Sequence, residues 1–150
     1  MNKNTIKIRL MKVDDFNAVV RVDEKIVKAS RSEYYRLKFE TFVQSPDYLP
    51  TSLVAEAEGG MVVGFVMGEL YIGEYGISQN KATLETIAVD PDHQHKGIGK
   101  QLINEFMDHL KTLGVEKVNT LVNGKDSALM HFFGSNQFSP SETINLERSL

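Results

Sequence analysis

The residues that most strongly suggest chemistry form the hexapeptide Gln-His-Lys-Gly-Ile-Gly at positions 94–99, between an apolar strand pattern and an amphipathic helix pattern. Glycines in such a turn let the backbone approach a ligand closely, and the unpaired N–H groups at a helix start favour an anion. Lys96 and Lys100 add positive charge beside the turn. The spacing differs from the phosphate loop of nucleotide hydrolases and from the dinucleotide fingerprint. The segment predicts a site for a pyrophosphate, and the alternative is an ordinary tight turn.

Glu85 is the side chain best suited to acid–base chemistry. Strict alternation along its strand places it on the same face as Ile87 and Val89, so either a carboxylate enters an apolar face or a bulge redirects it. Burial disfavours the charged form and raises the pKa of a carboxyl group, which suits a general base near neutral pH. The alternative is a carboxylate that is exposed at a strand end or paired with a lysine.

Other kinds of chemistry lack the residues that they require. The chain has no cysteine, which excludes a disulfide framework, a thiolate metal site and an acyl-cysteine intermediate. Asp90, Asp92, His93 and His95 lie close together but match no zinc-ligand spacing, and we interpret them as solvated turn residues. We expect no metal. The sequence patterns of a nucleophilic hydrolase and of a zinc protease are absent.

The spacing of apolar residues predicts the elements that position these groups. Two short helices follow a first strand, a hairpin turns at Gly59-Gly60, and the hexapeptide separates a strand from a long helix. The predicted strands are Thr5–Leu10, Leu53–Ala57, Val62–Tyr71, Thr83–Val89, Val115–Val122 and Phe138–Leu146; the predicted helices are Phe16–Val27, Tyr35–Val43, Ile98–Leu113 and Asp126–Phe133. We interpret residues 72–81 as a loop or a ragged strand end. This order predicts an α/β or α+β fold with a partly antiparallel sheet.

Composition limits the class of protein. A chain of 150 residues that is 41% apolar is long enough for one compact domain, and we expect a single domain over residues 1–150. No stretch reaches the ~20 apolar residues of a membrane span, and the amino-terminal segment lacks the apolar centre of a secretory signal. We therefore expect a cytoplasmic protein without a membrane partner. A net charge of -3 with scattered basic residues indicates no nucleic-acid partner.

The stretch Leu84 to Pro91 followed by Gln94-x-x-Gly97-x-Gly99 resembles the signature of the GNAT superfamily of N-acetyltransferases. The order of the other elements resembles that family over nearly the whole chain. The resemblance implies a mixed, mostly antiparallel sheet of six to seven strands with about four flanking helices. It also implies direct transfer of an acetyl group from acetyl-CoA to a primary amine in a ternary complex. In this reaction Glu85 resembles the strand glutamate that takes the proton of the amine, through water.

The resemblance also implies a set of coenzyme contacts. The backbone of the motif strand pairs with the pantetheine arm, and the loop and helix start bind the pyrophosphate. The strand residues are Ile87, Ala88 and Val89, and those of the loop and helix start are Gln94, His95, Lys96, Gly97, Ile98, Gly99 and Lys100.

Three positions near the carboxyl end depart from the family pattern, and one of them is Gln137, which replaces the usual glycine before Phe138. Phe133 stands where the family often has a tyrosine that protonates the departing thiolate, and Asp126 stands where many members have a coenzyme-contacting asparagine. Water, Tyr75, His131 or an unassisted thiolate are the remaining choices for this step. Because Phe133 has no proton to give, the alternative function is a non-catalytic acetyl-CoA-binding module with a regulatory or interaction role.

The partners of the chain are less well specified. The acceptor is a small-molecule or protein amine, and Glu56, Glu69 and Glu74 are candidates to attract its positive charge. Members of the family often form homodimers, although this sequence specifies no interface. Aromatic residues at helical spacing line either the core, which is the commoner case, or an acceptor pocket. They are Tyr34, Tyr35, Phe39 and Phe42.

Overall fold

The computed structural model describes residues 5–46, 49–72 and 78–150, except for the side chains of residues 71, 72, 78 and 79. Backbone contacts divide the chain into two compact units, Met1–Thr120 and Leu121–Leu150. The expected single domain over residues 1–150 stays a prediction. None of the described helices has the length and the apolar character that a membrane span requires.

The first unit combines a sheet with three helices. Its strands are β1 (Lys7–Leu10), β2 (Leu53–Glu56), β3 (Val62–Ile72), β4 (Ser78–Val89) and β5 (Lys117–Asn119), and its helices are α1 (Phe16–Val27), α2 (Ser32–Phe42) and α3 (Ile98–Thr112). The strands lie in chain order, antiparallel from β1 to β4 and parallel between β4 and β5. The second unit contains α4 (Ser127–Ser135). The predicted mixed, mostly antiparallel α/β architecture with four helices is confirmed.

The number of strands differs from the expectation. The described residues form a sheet of five strands, and the six to seven that the resemblance implies are not found there. The predicted strand over Phe138–Leu146 is wrong, because these residues have no regular structure. Pro140 has no backbone donor, and Ile144 and Leu146 are 78% and 84% exposed, so the alternating pattern covers no apolar layer.

The lengths of two strands also differ from the prediction. The strand expected over Val115–Val122 is reduced to Lys117–Asn119, which pairs only with residues 81–83 of β4. In contrast, β4 begins at Ser78, so the end of the segment interpreted as a loop or ragged strand belongs to a strand. Residues 73–77, which include Tyr75 and Glu74, lie outside the described residues.

Helices α1 and α2 pack on one face of the sheet. Val19 and Val22 of α1 and Tyr35 and Phe39 of α2 are almost completely buried, and they form a core with Phe65 of β3. The rings of Tyr35 and Phe65 meet edge to face with centroids 5.9 Å apart. Tyr35 and Phe39 therefore belong to the core, which is the commoner role of aromatics at helical spacing.

A charged network joins the two helices inside this core. Asp23 of α1 is only 3% exposed, and it accepts hydrogen bonds from the Arg31 guanidinium and, at 2.8 Å, from the Tyr35 hydroxyl. Burial alone would raise the pKa of Asp23, but the hydrogen bonds from Arg31 and Tyr35 outweigh it and hold the pKa below its usual range. The buried carboxylate thus fixes α2 against α1.

Helix α3 packs on the opposite face of the sheet. Gly64 and Gly68 of β3 lie on this face with the buried Val66 between them, and Gly64 faces Leu102 of α3. At Gly68 a Cβ atom would lie 2.5 Å from Cζ of the fully buried Phe106. The two glycines therefore set how closely α3 approaches the sheet.

The close approach at Gly68 generates a stability prediction. Gly68→Ala forces Phe106 or the strand to move, and overpacking of this kind costs about 1–3 kcal/mol. Denaturant unfolding should show this loss of free energy of unfolding. The matched control is Gly124→Ala, whose new methyl group meets no atom within 4 Å. Equal unfolding free energies for the two variants would contradict the close packing.

Candidate active site

A β-bulge in β4 determines where Glu85 lies. Met67 of β3 pairs with Thr86 of β4. The next residue of β3, Gly68, pairs with Leu84, so Glu85 between them has no partner in the register. A bulge of this kind bends the strand and redirects the side chain of the extra residue. Of the two arrangements that strict alternation left open, the structure shows the bulge.

The Glu85 side chain contacts α2, on the sheet face that carries the Tyr35 core. Oε2 of Glu85 lies 3.2 Å from Nζ of Lys38, and the two side chains are 25% and 22% exposed. Glu69 of β3 lies close enough to Glu85 for the interaction between the two carboxyl groups to raise the pKa of Glu69. The lysine partner that the sequence left as an alternative is therefore present, but within a half-buried cluster of charged groups and not at an exposed strand end.

The pKa of Glu69 differs from that of an isolated carboxyl group. Burial, the hydrogen bond with Glu85 and the negative charge of Glu85 raise the pKa of Glu69, and the positive charge of Lys38 opposes the shift. Two carboxyl groups that share a site retain one proton more readily than separate groups do. The cluster thus offers carboxylate oxygens to which an ammonium group such as that of Lys38 can bind.

The other glutamates that were candidates to attract the acceptor do not join this cluster in the described residues. Glu56 of β2 accepts a hydrogen bond of 2.5 Å from Nε of Arg9. Nη1 of the same guanidinium donates to Asp15 at 2.8 Å. Glu56 therefore belongs to a separate ion-pair group beside β1. Glu69 therefore lies beside Glu85 and Glu56 does not, whereas Glu74 lies outside the described residues.

One edge of β4 is unpaired next to the bulge. The parallel partner β5 covers only residues 81–83, and the Thr120 hydroxyl donates to the carbonyl of Leu84 at 2.9 Å. Among the described residues, no strand pairs with this edge between Glu85 and Val89. The Gln94 side chain donates to the carbonyl of Val89 at 3.0 Å. Apart from the Val89 carbonyl, the backbone groups on this edge have no strand partner among the described residues and can pair with an extended ligand, and Ile87, Ala88 and Val89 lie on this segment.

The loop after β4 turns through two residues with left-handed backbone angles, His95 at φ 63° and Gly97 at φ 81°. Helix α3 then begins at Ile98, and the amide of Gln101 bonds to the carbonyl of Gly97 at 3.0 Å. The N–H groups of the first turn, which include those of Ile98, Gly99 and Lys100, have no carbonyl acceptor within the helix. The predicted loop therefore presents N–H groups at a helix N-terminus, where an anion is favoured.

The side chains around this loop divide into anchors and exposed groups. Ile98 is 2% exposed and packs against β3 near Gly64, which fixes the start of the helix. The exposed side chains are Gln94, His95, Lys96 and Lys100. The two lysines thus carry positive charge at the surface where the amides emerge.

Two acidic residues after β4, Asp90 and Asp92, form ion pairs with α1 and hold this turn against the helix. Nζ of Lys25 lies 2.7 Å from carboxylate oxygens of both Asp90 and Asp92. Burial alone would raise the pKa of Asp90, but the hydrogen bonds from Lys25 and from the Asp92 amide hold it below its usual range. Asp92 is a solvated turn residue as interpreted, whereas Asp90 is 3% exposed and structural.

The two predicted residues of the carboxyl-terminal region lie in the second unit. The Asp126 carboxylate accepts a hydrogen bond of 3.0 Å from the Leu129 amide and thereby caps α4. Phe133 is 5% exposed, and its ring packs against Phe132 and Phe138 with centroids 5.4 and 5.1 Å away. Their contacts with a coenzyme stay predictions, as do those of the loop and strand.

Lys38 is the residue that the sequence argument missed. Its Nζ lies 5.5 Å from the ring centroid of Tyr34 and 5.2 Å from that of Phe42, in addition to its contact with Glu85. The available signal was the spacing Tyr34, Lys38, Phe42, since residues four apart share one face of a helix. Which strand this face meets depends on the packing of α2 and was not readable from the spacing.

The comparisons with known proteins place these features in a family. A model of the acetyltransferase (GNAT) family matches residues 17–136. Mycothiol acetyltransferase of Propionibacterium freudenreichii is 32% identical over 91 residues, which are 61% of this chain and 28% of that protein. Acetyltransferase SG1711 of Sodalis glossinidius is 25% identical over 142 residues, 94% of this chain and 92% of that protein. The chain thus spans little more than a quarter of the first relative and nearly all of the second.

A solved structure shows the same fold. Aminoglycoside N-acetyltransferase AAC(6')-Iy in complex with CoA has a TM-score of 0.79 at 19% sequence identity, with 99% of this chain and 97% of that chain covered. Likeness at this identity concerns the fold alone, whereas the family model matches most of the sequence. The predicted family is confirmed by the family model, and the named relatives are acetyltransferases. The chain therefore belongs to the acetyltransferase (GNAT) family.

Proposed function

We propose that this chain is an N-acetyltransferase that moves an acetyl group from acetyl-CoA to a primary amine, with Glu85 as the general base. The observation that carries the proposal is the bulge, which brings Glu85 beside Glu69 at one end of the unpaired β4 edge. The relatives named as acetyltransferases support the reaction class. The CoA in the structural neighbour supports the cosubstrate.

The unpaired edge and the loop fit the two ends of a coenzyme. The amides at the start of α3, with Lys96 and Lys100 beside them, suit the doubly charged pyrophosphate. The backbone of Ile87 to Val89 offers the hydrogen-bonding groups of a strand edge to the amide-containing pantetheine arm. Because the loop follows the strand, an arm that starts at the loop and runs back along β4 brings its thioester toward Glu85.

The proposed proton path uses the carboxylate pair. The acceptor binds as an ammonium group against Glu69 and Glu85, and a proton passes to Glu85, directly or through water. The neutral nitrogen then attacks the thioester carbonyl, and a backbone amide of β4 stabilises the oxygen that gains negative charge. A carbon–sulfur bond breaks as the carbon–nitrogen bond forms, and the nitrogen releases its second proton to water. Phe133 has no hydroxyl to protonate the thiolate, so we assign that proton to water.

We infer that the acceptor is a cationic primary amine, small or part of a protein. The Glu69 and Glu85 pair supplies the negative charge that such a group requires. The compounds in the names of the relatives, mycothiol and aminoglycosides, concern those proteins and leave the acceptor of this chain open.

Phe133 favours a second candidate function, an acetyl-CoA-binding module without turnover. One experiment separates the two functions, a screen of acetyl-CoA with polyamines, amino acids, aminoglycosides and a lysine peptide, read by thiol release. Thiol release that depends on an amine supports the transferase. Acetyl-CoA binding without release on any amine supports the module.

Gly97 provides a test of the coenzyme loop. Its φ of 81° suits glycine, and a β-branched residue there is strained and disturbs the anion-binding turn. Acetyl-CoA at ~100 times its dissociation constant should stabilise the native protein by ~2.7 kcal/mol, and Gly97→Val should lose this stabilisation. The measurement is the thermal shift with ligand.

The matched control for this test is Gly114→Val at the end of α3. Gly114 has a φ of 83° and equally open surroundings, so its replacement brings the same backbone strain outside the loop. This variant should keep the shift that acetyl-CoA produces. If Gly97→Val keeps the shift as well, the loop does not bind the coenzyme.

Glu85→Gln tests the assignment of the base. The amide keeps the size of the side chain but cannot take a proton, so turnover should fall about 10²- to 10⁴-fold at neutral pH while acetyl-CoA affinity is retained. The deficit should shrink as the pH approaches the pKa of the acceptor, where free amine is abundant. Glu105→Gln, on the exposed surface of α3, serves as the control. An unchanged rate for Glu85→Gln would remove this residue from the mechanism.

A further inference from the structure

The surroundings of Lys38 are those that an amine acceptor requires. Nζ of Lys38 lies 3.2 Å from Oε2 of Glu85, and Glu69 adds a second carboxyl group to the same cluster. The rings of Tyr34 and Phe42 flank the ammonium group, with centroids 5.5 and 5.2 Å away. Carboxylates and aromatic faces are the groups that bind an ammonium in proteins. A primary amine of the chain itself therefore occupies this cluster.

The Lys38 amine is held between Glu85 and two aromatic rings of its own helix. Tyr34, Lys38 and Phe42 lie one turn apart on α2, and the Tyr34 ring packs edge to face on Tyr35 with centroids 5.0 Å apart. Tyr35 is fully buried and bonds to Asp23, so the partly exposed Tyr34 ring beside Lys38 packs against an anchored residue of the core. A nucleophile held in the geometry of attack gains a large rate advantage over a free one.

The proposed reaction makes this amine reactive. On the function proposed above, Glu85 takes the proton of the acceptor, and the thioester arrives along β4 from the loop. The group at hydrogen-bonding distance from Glu85 in the structure is Lys38. We propose that Lys38 is a site of self-acetylation.

The step balances in atoms and charge. The Lys38 ammonium loses a proton to Glu85, its nitrogen bonds to the acetyl carbon, and the carbon–sulfur bond of acetyl-CoA breaks. After the attack the nitrogen releases its second proton to water, and coenzyme A leaves as a thiolate that takes a proton from water. The product, acetyl-Lys38, is neutral and cannot form the ion pair, so the carboxylate of Glu85 becomes available to an external ammonium group.

The test needs only the protein and acetyl-CoA. Purified chain is incubated with acetyl-CoA, and the acetylated lysines are identified and quantified by mass spectrometry of peptides over time. Lys38 should gain one acetyl group at a rate that does not depend on protein concentration, because the reaction is intramolecular. Its rate should exceed that of Lys111, an exposed lysine of α3 that serves as an internal reference for unassisted acetylation.

Two variants assign the chemistry to the cluster. Glu85→Gln should slow acetylation of Lys38 by about 10²-fold and leave Lys111 unchanged, since general-base assistance is worth that much. Glu40→Gln replaces an exposed glutamate of α2 that pairs with Arg36, and it should leave the Lys38 rate unchanged. Circular dichroism of each variant verifies that it is folded.

Three results would overturn the inference: no acetyl group on Lys38, a Lys38 rate equal to that of Lys111, or a rate that rises with protein concentration. The screen for amine-dependent thiol release distinguishes this failure from failure of the proposed function. If external amines are acetylated while Lys38 is not, the function stands and the inference falls. If neither reaction occurs, both fall.

Discussion

The β-bulge between Leu84 and Thr86 is the constraint on which the candidate site depends. Without the extra residue, alternation would direct Glu85 toward the face of α3, away from Lys38 and Glu69. With the bulge, the carboxylate emerges on the face that α2 covers. The bulge interrupts the hydrogen bonds between β3 and β4, and packing on both faces of the sheet offsets this loss. On one face Met67 joins the α1 and α2 core, and on the other Gly68 contacts Phe106.

The divergence of β4 from β5 is the second feature that shapes the site. The two strands pair over three residues and then separate, so β4 continues with one edge unpaired toward the loop at residues 94–99. An unpaired strand edge offers its N–H and C=O groups to any extended chain that carries amides. The loop leads into the first N–H groups of α3, where negative charge is favoured. The bulge, the edge and the loop therefore lie in sequence along one strand, with the charged cluster at one end and the anion site at the other.

Much of this arrangement was readable from the sequence, because it depends on local rules. The spacing of Gly97 and Gly99 before an amphipathic helix predicted the loop, and Gly59-Gly60 predicted the hairpin of β2 and β3. The role of Glu85 was only half readable. Alternation showed that this carboxylate conflicts with its neighbours, but the choice between burial and a bulge depends on pairing with β3.

The parts that were not predicted depend on contacts between distant segments. Lys38 and Glu85 are 47 positions apart, and no local rule brings them together. The strand expected over Phe138–Leu146 had an alternating pattern but no apolar surface for Ile144 and Leu146 to cover. In the same way β5 is short because pairing, and not propensity, decides where a strand ends.

We propose that one ligand, acetyl-CoA, occupies both the loop and the unpaired edge of β4. Amide hydrogen exchange followed by mass spectrometry measures this directly, because hydrogen bonds to a ligand slow the exchange of the amides that donate them. With acetyl-CoA, exchange should slow in the peptides that cover residues 85–89 and 95–100, and more than in those of β1 and β2. Equal slowing throughout the chain, or slowing confined to other segments, would contradict the account.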